Sequence, residues 1–308
     1  MAKLPRRRKP PKPFRDFAAY LALRLVVGII QALTDWAART LALTLAWLAY
    51  RIDARHRRVA DENLRHAFPD LSAAARDRLV RGCFRHFATL LVEVARMPRK
   101  LHPHNWRDHV ELADGGALAT AMTSGRPVML VGGHLGNWEL AGYALGLLGF
   151  RTHAIARPLD NPYFDRYLRK FRERTGQRVL AKRGDFDQMT ELMKRGGVLG
   201  TLADQDAGRR GLFVTFFNRP ASTHKAIALM ALEYNVLLLV VGVPKVAEPM
   251  RYRVVLEDAI DPADYAGHPD AVIAITQRYT TALERIARRY PEQYFWLHRR
   301  WKHQPTVR

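Results

Sequence analysis

The stretch Val128-Met-Leu-Val-Gly-Gly-His-Leu-Gly-Asn-Trp-Glu-Leu140 constrains the fold of this chain more than any other. Val128–Val131 is a short apolar run, which suits a strand buried on both faces of a parallel sheet. Gly132 and Gly133 allow a tight turn at its end. Asn137 is placed to cap a helix running from Trp138 to about Leu148. This strand–turn–helix unit recurs along the chain. Arg151–Ala156 reads as a strand followed by a helix from Pro162 to about Thr175. Arg178–Leu180 and Val198–Leu202 read as strands flanking a helix at Asp185–Arg195. Val236–Val243 is a continuous apolar run and hence a central strand; Tyr252–Leu256 follows as a last strand and Asp270–Tyr290 as a long helix. Such alternation predicts an α/β fold, a mostly parallel central sheet flanked by helices.

In open α/β sheets ligands bind beyond the carboxyl ends of the strands, and His134 sits at such an end. Glu139 follows five residues later. On one helix that spacing separates two side chains by about 140°, but with His134 on the turn and Glu139 in the first helical turn the two can converge. A carboxylate there fixes the imidazole tautomer and stabilises the imidazolium when the histidine takes up a proton. Alone, His-x4-Glu is a weak motif, and a histidine after two glycines is often a turn residue. Arg157 follows the second strand beside Pro158, either as a surface arginine or gripping a phosphate in bidentate fashion. Asp204 and Asp206 follow the Val198 strand, either capping a turn at Gly208 or orienting His134 or a neighbouring arginine. Which carboxylate pairs with His134 is open at this point. Lys182, Arg183, Arg209 and Arg210 add positive charge on loops. Phe213, Phe216 and Phe217 wall an apolar groove or belong to the core.

The amino-terminal third is different. Met1–Arg15 carries seven Lys/Arg, four prolines and no acid, the composition of a disordered basic tail that solubilises the chain or is attracted to an anionic leaflet. Phe17–Tyr50 is the most apolar part, interrupted by Arg24, Asp35 and Arg39. Read as one helix, it collects Arg24, Gln31, Asp35 and Arg39 within an arc of about 80°. A narrow polar stripe and a wide apolar face fit a helix that spans a bilayer with the stripe against protein, or lies in the interface; a soluble core helix is the plainer reading. No small-residue cleavage site marks a removable signal peptide. Ser72 is placed to cap a helix that Pro98 ends near Met97. The expected organisation is a tail at 1–15, a membrane-anchoring segment at 16–50 and an α/β domain at 51–308.

The formal net charge of +21 over 308 residues calls for an anionic partner: nucleic acid, acidic headgroups or an acidic protein. No nucleic-acid-binding module is visible, and nucleic acid would leave the apolar amino-terminal segment unexplained. The single cysteine, Cys83, excludes a disulfide framework or a cysteine-based zinc site and reads as a small core residue. His102, His104 and His109 lack a metal-ligand spacing and suit surface or headgroup contact.

Four segments carry a resemblance to a known family. Gly133-His134-Leu135-Gly136-Asn137-Trp138-Glu139 resembles the His-x4-Asp/Glu box of lysophospholipid-type acyltransferases, in the branch that acylates lipid A precursors. Arg157-Pro158-Leu159-Asp160-Asn161-Pro162 resembles the branch's Arg-Pro-x-x-Asn-Pro segment. Ala203-Asp204-Gln205-Asp206-Ala207-Gly208 resembles its Asp-Gln-Asp-x-Gly loop. The run from Tyr290 to Lys302, YPEQYFWLHRRWK, resembles its carboxy-terminal signature. Together they span about Asn63 to Lys302. The glycine-rich box is also shared by wider acyltransferases, which makes the reaction more secure than the acceptor.

The resemblance implies a glycerol-3-phosphate acyltransferase-like fold and a membrane anchor, with the catalytic domain at the cytoplasmic face of the inner membrane. It implies catalysis by His134 and Glu139, and substrate binding by Arg157, Asn137, Asp204, Asp206 and Arg209. The donor would be acyl carrier protein, or acyl-CoA; the acceptor would be a hydroxyl of a lipid A precursor or a related lipid or glycolipid. His134 as general base on that hydroxyl requires neither metal nor redox cofactor. With no Gly-x-Ser-x-Gly elbow and no cysteine beside the histidine, direct transfer is expected rather than an acyl-enzyme. In the signature, Arg299, Arg300 and Lys302 face an anionic partner or solvent, and Trp296 and Trp301 point to an interfacial location. The competing class is a basic membrane scaffold that keeps the fold without the chemistry.

Overall fold

The structure is a computed structural model and describes residues 13–181 and 184–305. Four helices lead: α1 (Pro13–Ala32), α2 (Asp35–Ile52), α3 (Ala54–Ala67) and α4 (Ala73–Lys100). A short helix α5 (Trp106–His109) and strand β1 (Val110–Leu112) open the α/β part. There follow α6 (Gly115–Thr123), β2 (Val128–Gly132), α7 (Trp138–Leu147), β3 (Thr152–Ala156), α8 (Pro162–Glu173), β4 (Arg178–Ala181), α9 (Phe186–Lys194) and β5 (Val198–Leu202). A hairpin, β6 (Leu212–Phe216) and β7 (Arg219–Thr223), precedes α10 (Ala226–Tyr234), β8 (Leu237–Gly242), β9 (Lys245–Ala247), β10 (Arg251–Ile260) and α11 (Ala271–Arg289).

The main sheet has the order β1-β10-β8-β2-β5-β3-β4, with β9 on β10. The pairs β8–β2, β2–β5, β5–β3, β3–β4 and β1–β10 are parallel. β10 runs antiparallel to β8 and is ten residues long, twice the extent that its apolar centre suggests. The sheet is buried on both faces. Met129 and Val131 pack with Leu199, Leu238 and Val240 against α9, α10 and α11; Val128 and Leu130 face the opposite way, toward α6 and α7. This explains why β2 and β8 read as unbroken apolar runs.

The amino-terminal segment departs from the expected single helix. The chain breaks at Leu33–Thr34, where Thr34 takes an extended conformation and its hydroxyl accepts the Ala37 N–H. Thr34 is thus an N-cap with Asp35 in the first turn, a start signal inside the apolar run. The polar stripe faces protein: Gln31 donates to the Ala95 carbonyl, and Asp35 pairs with Arg96 and Lys100 of α4. Arg24 lies over the ring of Tyr167 on α8. The apolar side is left open, with Phe14, Leu25, Ile29, Trp36, Trp47 and Ile52 each more than half exposed. Among the described residues no helix is long and apolar enough to cross a membrane. The basic tail lies outside the described residues except for its last three.

Two further expectations change. Helix α4 continues through Pro98 to Lys100, because a proline so near the carboxyl end removes one backbone bond and leaves that from Leu101 N–H to the Met97 carbonyl intact. Trp296 and Trp301 do not lie at a surface. With Phe216, Phe217, Tyr294 and Cys83 they form a buried cluster between α3, α4 and the carboxy-terminal segment. The apolar rings of the signature thus hold that segment to the helices, and Phe216 and Phe217 are core rather than groove wall.

The turn after β2 depends on Gly136. Its φ is +60°, and a Cβ there would stand 1.9 Å from the Val243 carbonyl oxygen. Asn137 N–H bonds that same oxygen at 2.8 Å. A Gly136→Ala variant is expected to lose at least about 2 kcal/mol of stability, from the left-handed conformation and the clash together. Chemical denaturation checks this; an unchanged midpoint would refute the constraint.

Candidate active site

The site is assembled where β2 and β5 end side by side. Gly132 pairs with Leu202, so the next residues on each strand, His134 and Asp204, emerge at the same edge. The Asp204 Oδ2 accepts the His134 backbone N–H at 2.7 Å, and its Oδ1 accepts from the imidazole Nδ1 at 2.7 Å. One carboxylate therefore fixes both the backbone and the ring. Gly133 permits the approach, since a Cβ there would lie 3.3 Å from Asp204 Oδ2. With Nδ1 donating, Nε2 carries the lone pair, and its neighbour is the Gln205 side-chain amide at 3.4 Å. Trp138 and Phe295 pack on the ring, with centroids 5.0 and 5.9 Å away.

Electrostatics favour a histidine that gains protons readily. Burial alone would lower the His134 pKa; the charge and hydrogen bond of Asp204, with a smaller push from Glu139, outweigh it and leave the pKa above its ordinary value. Burial likewise raises Asp204, but the imidazole, the His134 N–H and the charge of Arg300 bring it below the usual carboxylate range. Arg300 is the residue that sequence reasoning placed outside. It is 3% exposed and donates to the Ser222 carbonyl and Thr223 Oγ1, both at 2.6 Å.

Glu139 does not pair with His134. Its carboxylate takes both Arg172 Nε, at 2.9 Å, and Arg172 Nη2, at 2.5 Å. The reason is geometric: Glu139 lies on the side of α7 that faces α8, whereas the ring nitrogen Nδ1 points back toward the end of β5. Asn137 is fully buried. Its Oδ1 caps α7 by accepting the Leu140 N–H, which leaves no face open to a substrate. Asp206 organises its own loop, accepting from Gly208 N–H and pairing with His303, while its N–H donates to His298 Nε2. Arg157 is highly exposed and lies 3.5 Å from Asp160. Arg209 is exposed as well. Among the described residues neither arginine bonds any member of the His134 cluster. Lys182 and Arg183 lie outside the described residues.

The other histidines have separate occupations. His102 and His104 stack on each other, and His109 bonds the Met250 carbonyl. His86 lies beneath the turn with Nε2 against the Gly136 carbonyl; burial pulls its pKa down to about 4, so it is neutral at pH 7. Among the described residues no group of three or more His, Cys, Asp or Glu is arranged to hold a metal ion.

An apolar cavity opens beside the histidine and runs between α7 and the sheet. Gly132, Gly133 and Trp138 line its near end, with Leu145 and Ile155 further in and the Glu139–Arg172 pair in its wall. The carboxy-terminal segment packs on the turn that carries the histidine: Phe295 N–H bonds the His134 carbonyl, and Tyr294 bridges to Leu135. Gln205, Arg172, Arg300 and Phe295 are the members that sequence reasoning did not assign. The Asp-Gln-Asp loop and the signature held signals for Gln205, Arg300 and Phe295; Arg172, in the last turn of α8, had none.

A histidine braced by a buried acid beside an apolar cavity is an arrangement that suits acyl transfer; comparison with known proteins identifies the family. The chain belongs to the bacterial lipid A biosynthesis acyltransferase family, whose model matches residues 9–303. It is 30% identical over 274 residues to the lipid A biosynthesis palmitoleoyltransferase of Escherichia coli K12, covering 85% of this chain and 86% of that protein. The lauroyltransferase of the same organism is 24% identical over 267 residues, covering 85% and 84%. A phosphatidylinositol mannoside acyltransferase of Mycobacterium tuberculosis H37Rv is 28% identical over 174 residues, covering 54% of each chain. The chain is thus an acyltransferase of a family that acts on lipids or glycolipids.

If His134 works as a base, it must be neutral, and the raised pKa moves the acid limb of kcat/KM upward from where an ordinary histidine would place it. An Asp204→Asn variant removes the charge that raises it. The limb is expected to move toward lower pH while the plateau falls, which a pH–rate profile of both proteins checks. An unmoved limb would mean that another group titrates.

Proposed function

We propose that the protein moves a fatty acyl group from an acyl thioester to a hydroxyl of a lipid A precursor or related glycolipid, with His134 as general base and Asp204 as the carboxylate that orients it. The observation that carries this reading is the Asp204–His134 pair, with Nδ1 engaged by the carboxylate, next to an apolar cavity lined by the flanking residues Gly133, Leu135 and Trp138. Nε2 takes the proton of the acceptor hydroxyl as its oxygen attacks the thioester carbonyl. The tetrahedral oxyanion then collapses, the C–S bond breaks, and the leaving sulfur takes the proton back from the imidazolium. Asp204 stabilises the imidazolium meanwhile.

The oxyanion needs donors, and most of the turn's N–H groups are already spoken for. Those of His134, Leu135, Gly136 and Asn137 go to Asp204, Gly133, Gln293 and Val243. The Gln205 amide and the N–H groups of Trp138 and Glu139, in the first turn of α7, are the donors that this reading assigns. Direct transfer fits the cysteine chemistry: Cys83 is fully buried, which pushes its thiol up to about 12. The acyl chain occupies the apolar cavity, while the Glu139–Arg172 pair stiffens its wall and Glu139 adds a small push to the His134 pKa. Arg157 and Arg209, both exposed, serve substrate recognition in this reading.

The donor is acyl carrier protein, an acidic partner suited to a chain of net charge +21, with acyl-CoA as the alternative. The similarity to the mannoside acyltransferase keeps a related glycolipid acceptor in view. Membrane association rests on the open apolar side of α1 and α2 next to a basic tail, as expected of helices lying in the interface of an anionic cytoplasmic leaflet of the inner membrane.

Transfer of labelled acyl groups from acyl carrier protein or CoA to a panel of glycolipid acceptors tests the reaction. His134→Ala is expected to lose about 10²–10⁴-fold in kcat with an unchanged circular dichroism spectrum, the usual contribution of a general base. A variant that transfers at the wild-type rate would remove His134 from the chemistry. For the membrane, Leu25→Glu combined with Ile29→Glu withdraws two exposed apolar side chains, each contributing roughly 1.5–3 kcal/mol when buried. Sedimentation with anionic vesicles should show at least tenfold weaker binding; equal binding would refute the docking face.

A further inference from the structure

A second concavity lies away from the apolar cavity, between α3, the β6–β7 hairpin and the carboxy-terminal segment. Its volume is about 280 Å³, and Arg65, Arg219, Arg299, Lys302 and Trp301 line it, with Asn63 at the back. It exists because Asn63 is buried and ties α3 to the carboxy-terminal segment, donating to the carbonyls of Trp296 and His298 at 2.7 and 2.8 Å. That tie brings cations from three separate parts of the chain to one rim.

The charges are not balanced locally. Among the described residues, none of the four cations forms an ion pair with a carboxylate, although the chain forms many elsewhere. Glu62 is the one acid on the wall. The imidazole of His66, also on the wall, reports the resulting field. Its pKa is lowered, first by burial and then by Arg219 and Arg65, against a smaller opposing push from Glu62. Trp301 is 7% exposed, and its ring forms part of the wall beneath the Arg219 guanidinium, 5.9 Å from its centroid. Cationic donors in excess, acceptors in deficit and a concave shape together mark an anion site. A docking surface for a protein helix would be flatter and carry apolar anchors.

We propose that this pocket binds a phosphate monoester and, on the acyl-transfer reading above, that it holds a phosphoryl group of the glycolipid acceptor while another part of that molecule reaches His134. The two places are linked through short connections. Asn63 holds the His298 carbonyl, His298 Nε2 accepts the Asp206 N–H, and Gln205, next in the chain, faces the imidazole. Arg299 and Lys302 therefore read the acceptor, whereas Arg300 between them turns inward to the Ser222–Thr223 backbone and side chain.

The test uses the full-length protein and the double variant Arg299→Gln/Lys302→Gln. Both side chains are exposed and unpaired among the described residues, so folding should survive, and a thermal melt verifies it. Calorimetric titration with glucosamine 1-phosphate should show binding to wild type, none with glucosamine, and at least tenfold weaker binding to the variant. Arg55→Gln/Arg78→Gln, an equal loss of charge elsewhere on the helices, should bind as wild type does. In transfer assays the ratio of kcat/KM for a phosphorylated acceptor to that for its dephosphorylated form should fall at least tenfold in the pocket variant, with the donor KM unchanged. Absence of glucosamine 1-phosphate binding to wild type, or an equal loss in the control pair, would overturn the anion site. A rise in the donor KM instead would overturn its assignment to the acceptor and place the donor's phosphate there. Failure of wild type to acylate any acceptor would count against the acyl-transfer reading alone, since the titration decides the pocket without catalysis.

Discussion

The grip of Asp204 on His134 is the contact on which the rest of the site depends. A single carboxylate receives the backbone N–H and the ring Nδ1 of the same residue. This sets where the turn after β2 lies, which way the imidazole faces and which nitrogen keeps a lone pair. A buried carboxylate is costly without compensation. Here compensation comes from two hydrogen bonds and from the charge of Arg300, itself buried and bonded to the β7 end. Strand register makes the contact possible, because β2 and β5 are adjacent and parallel and bring residues 70 apart in sequence to one edge.

Much of this was legible in the sequence, and what was not has identifiable causes. The strands β2, β3, β4, β5 and β8 and the helices α7, α9 and α11 announced themselves by apolar runs, glycine turns and caps. The edge strands β1 and β9 and the hairpin β6–β7 did not, being short or only half apolar. The break at Thr34 was written as an N-cap, but a continuous apolar background concealed it. Within the site, His134 was visible from its place after a strand. Its partner was left open among Glu139, Asp204 and Asp206, because proximity in sequence favoured the first while strand ends offered the others, and the sheet delivered Asp204. Nothing local distinguishes a carboxylate held by an arginine on the next helix from one held by a histidine on the preceding turn.

The aromatic and basic residues of the carboxy-terminal segment show a related limit. Trp296, Trp301 and Arg300 have the composition of an interfacial or anion-binding patch, yet all three are buried. Arg299 and Lys302, their neighbours, remain outside. Backbone direction alternates in this irregular stretch without a helical or strand period, so pattern reasoning has no phase to apply. Only tertiary contacts, chiefly Asn63 reaching two carbonyls of the segment, settle which side chains turn inward.

The seam between Phe295 and His134 has a consequence for synthesis. Phe295 over the imidazole, the arginine that steadies Asp204 and the rings that seat them on α3 and α4 all come from residues 294–301, whereas every strand of the sheet precedes them in the chain. A nascent chain on the ribosome can therefore form most of its sheet, yet holds a half-open imidazole until this segment has emerged and docked. Completion of the centre is in this way deferred until that segment docks, and its competence becomes a report on whether sheet, helices and segment have come together.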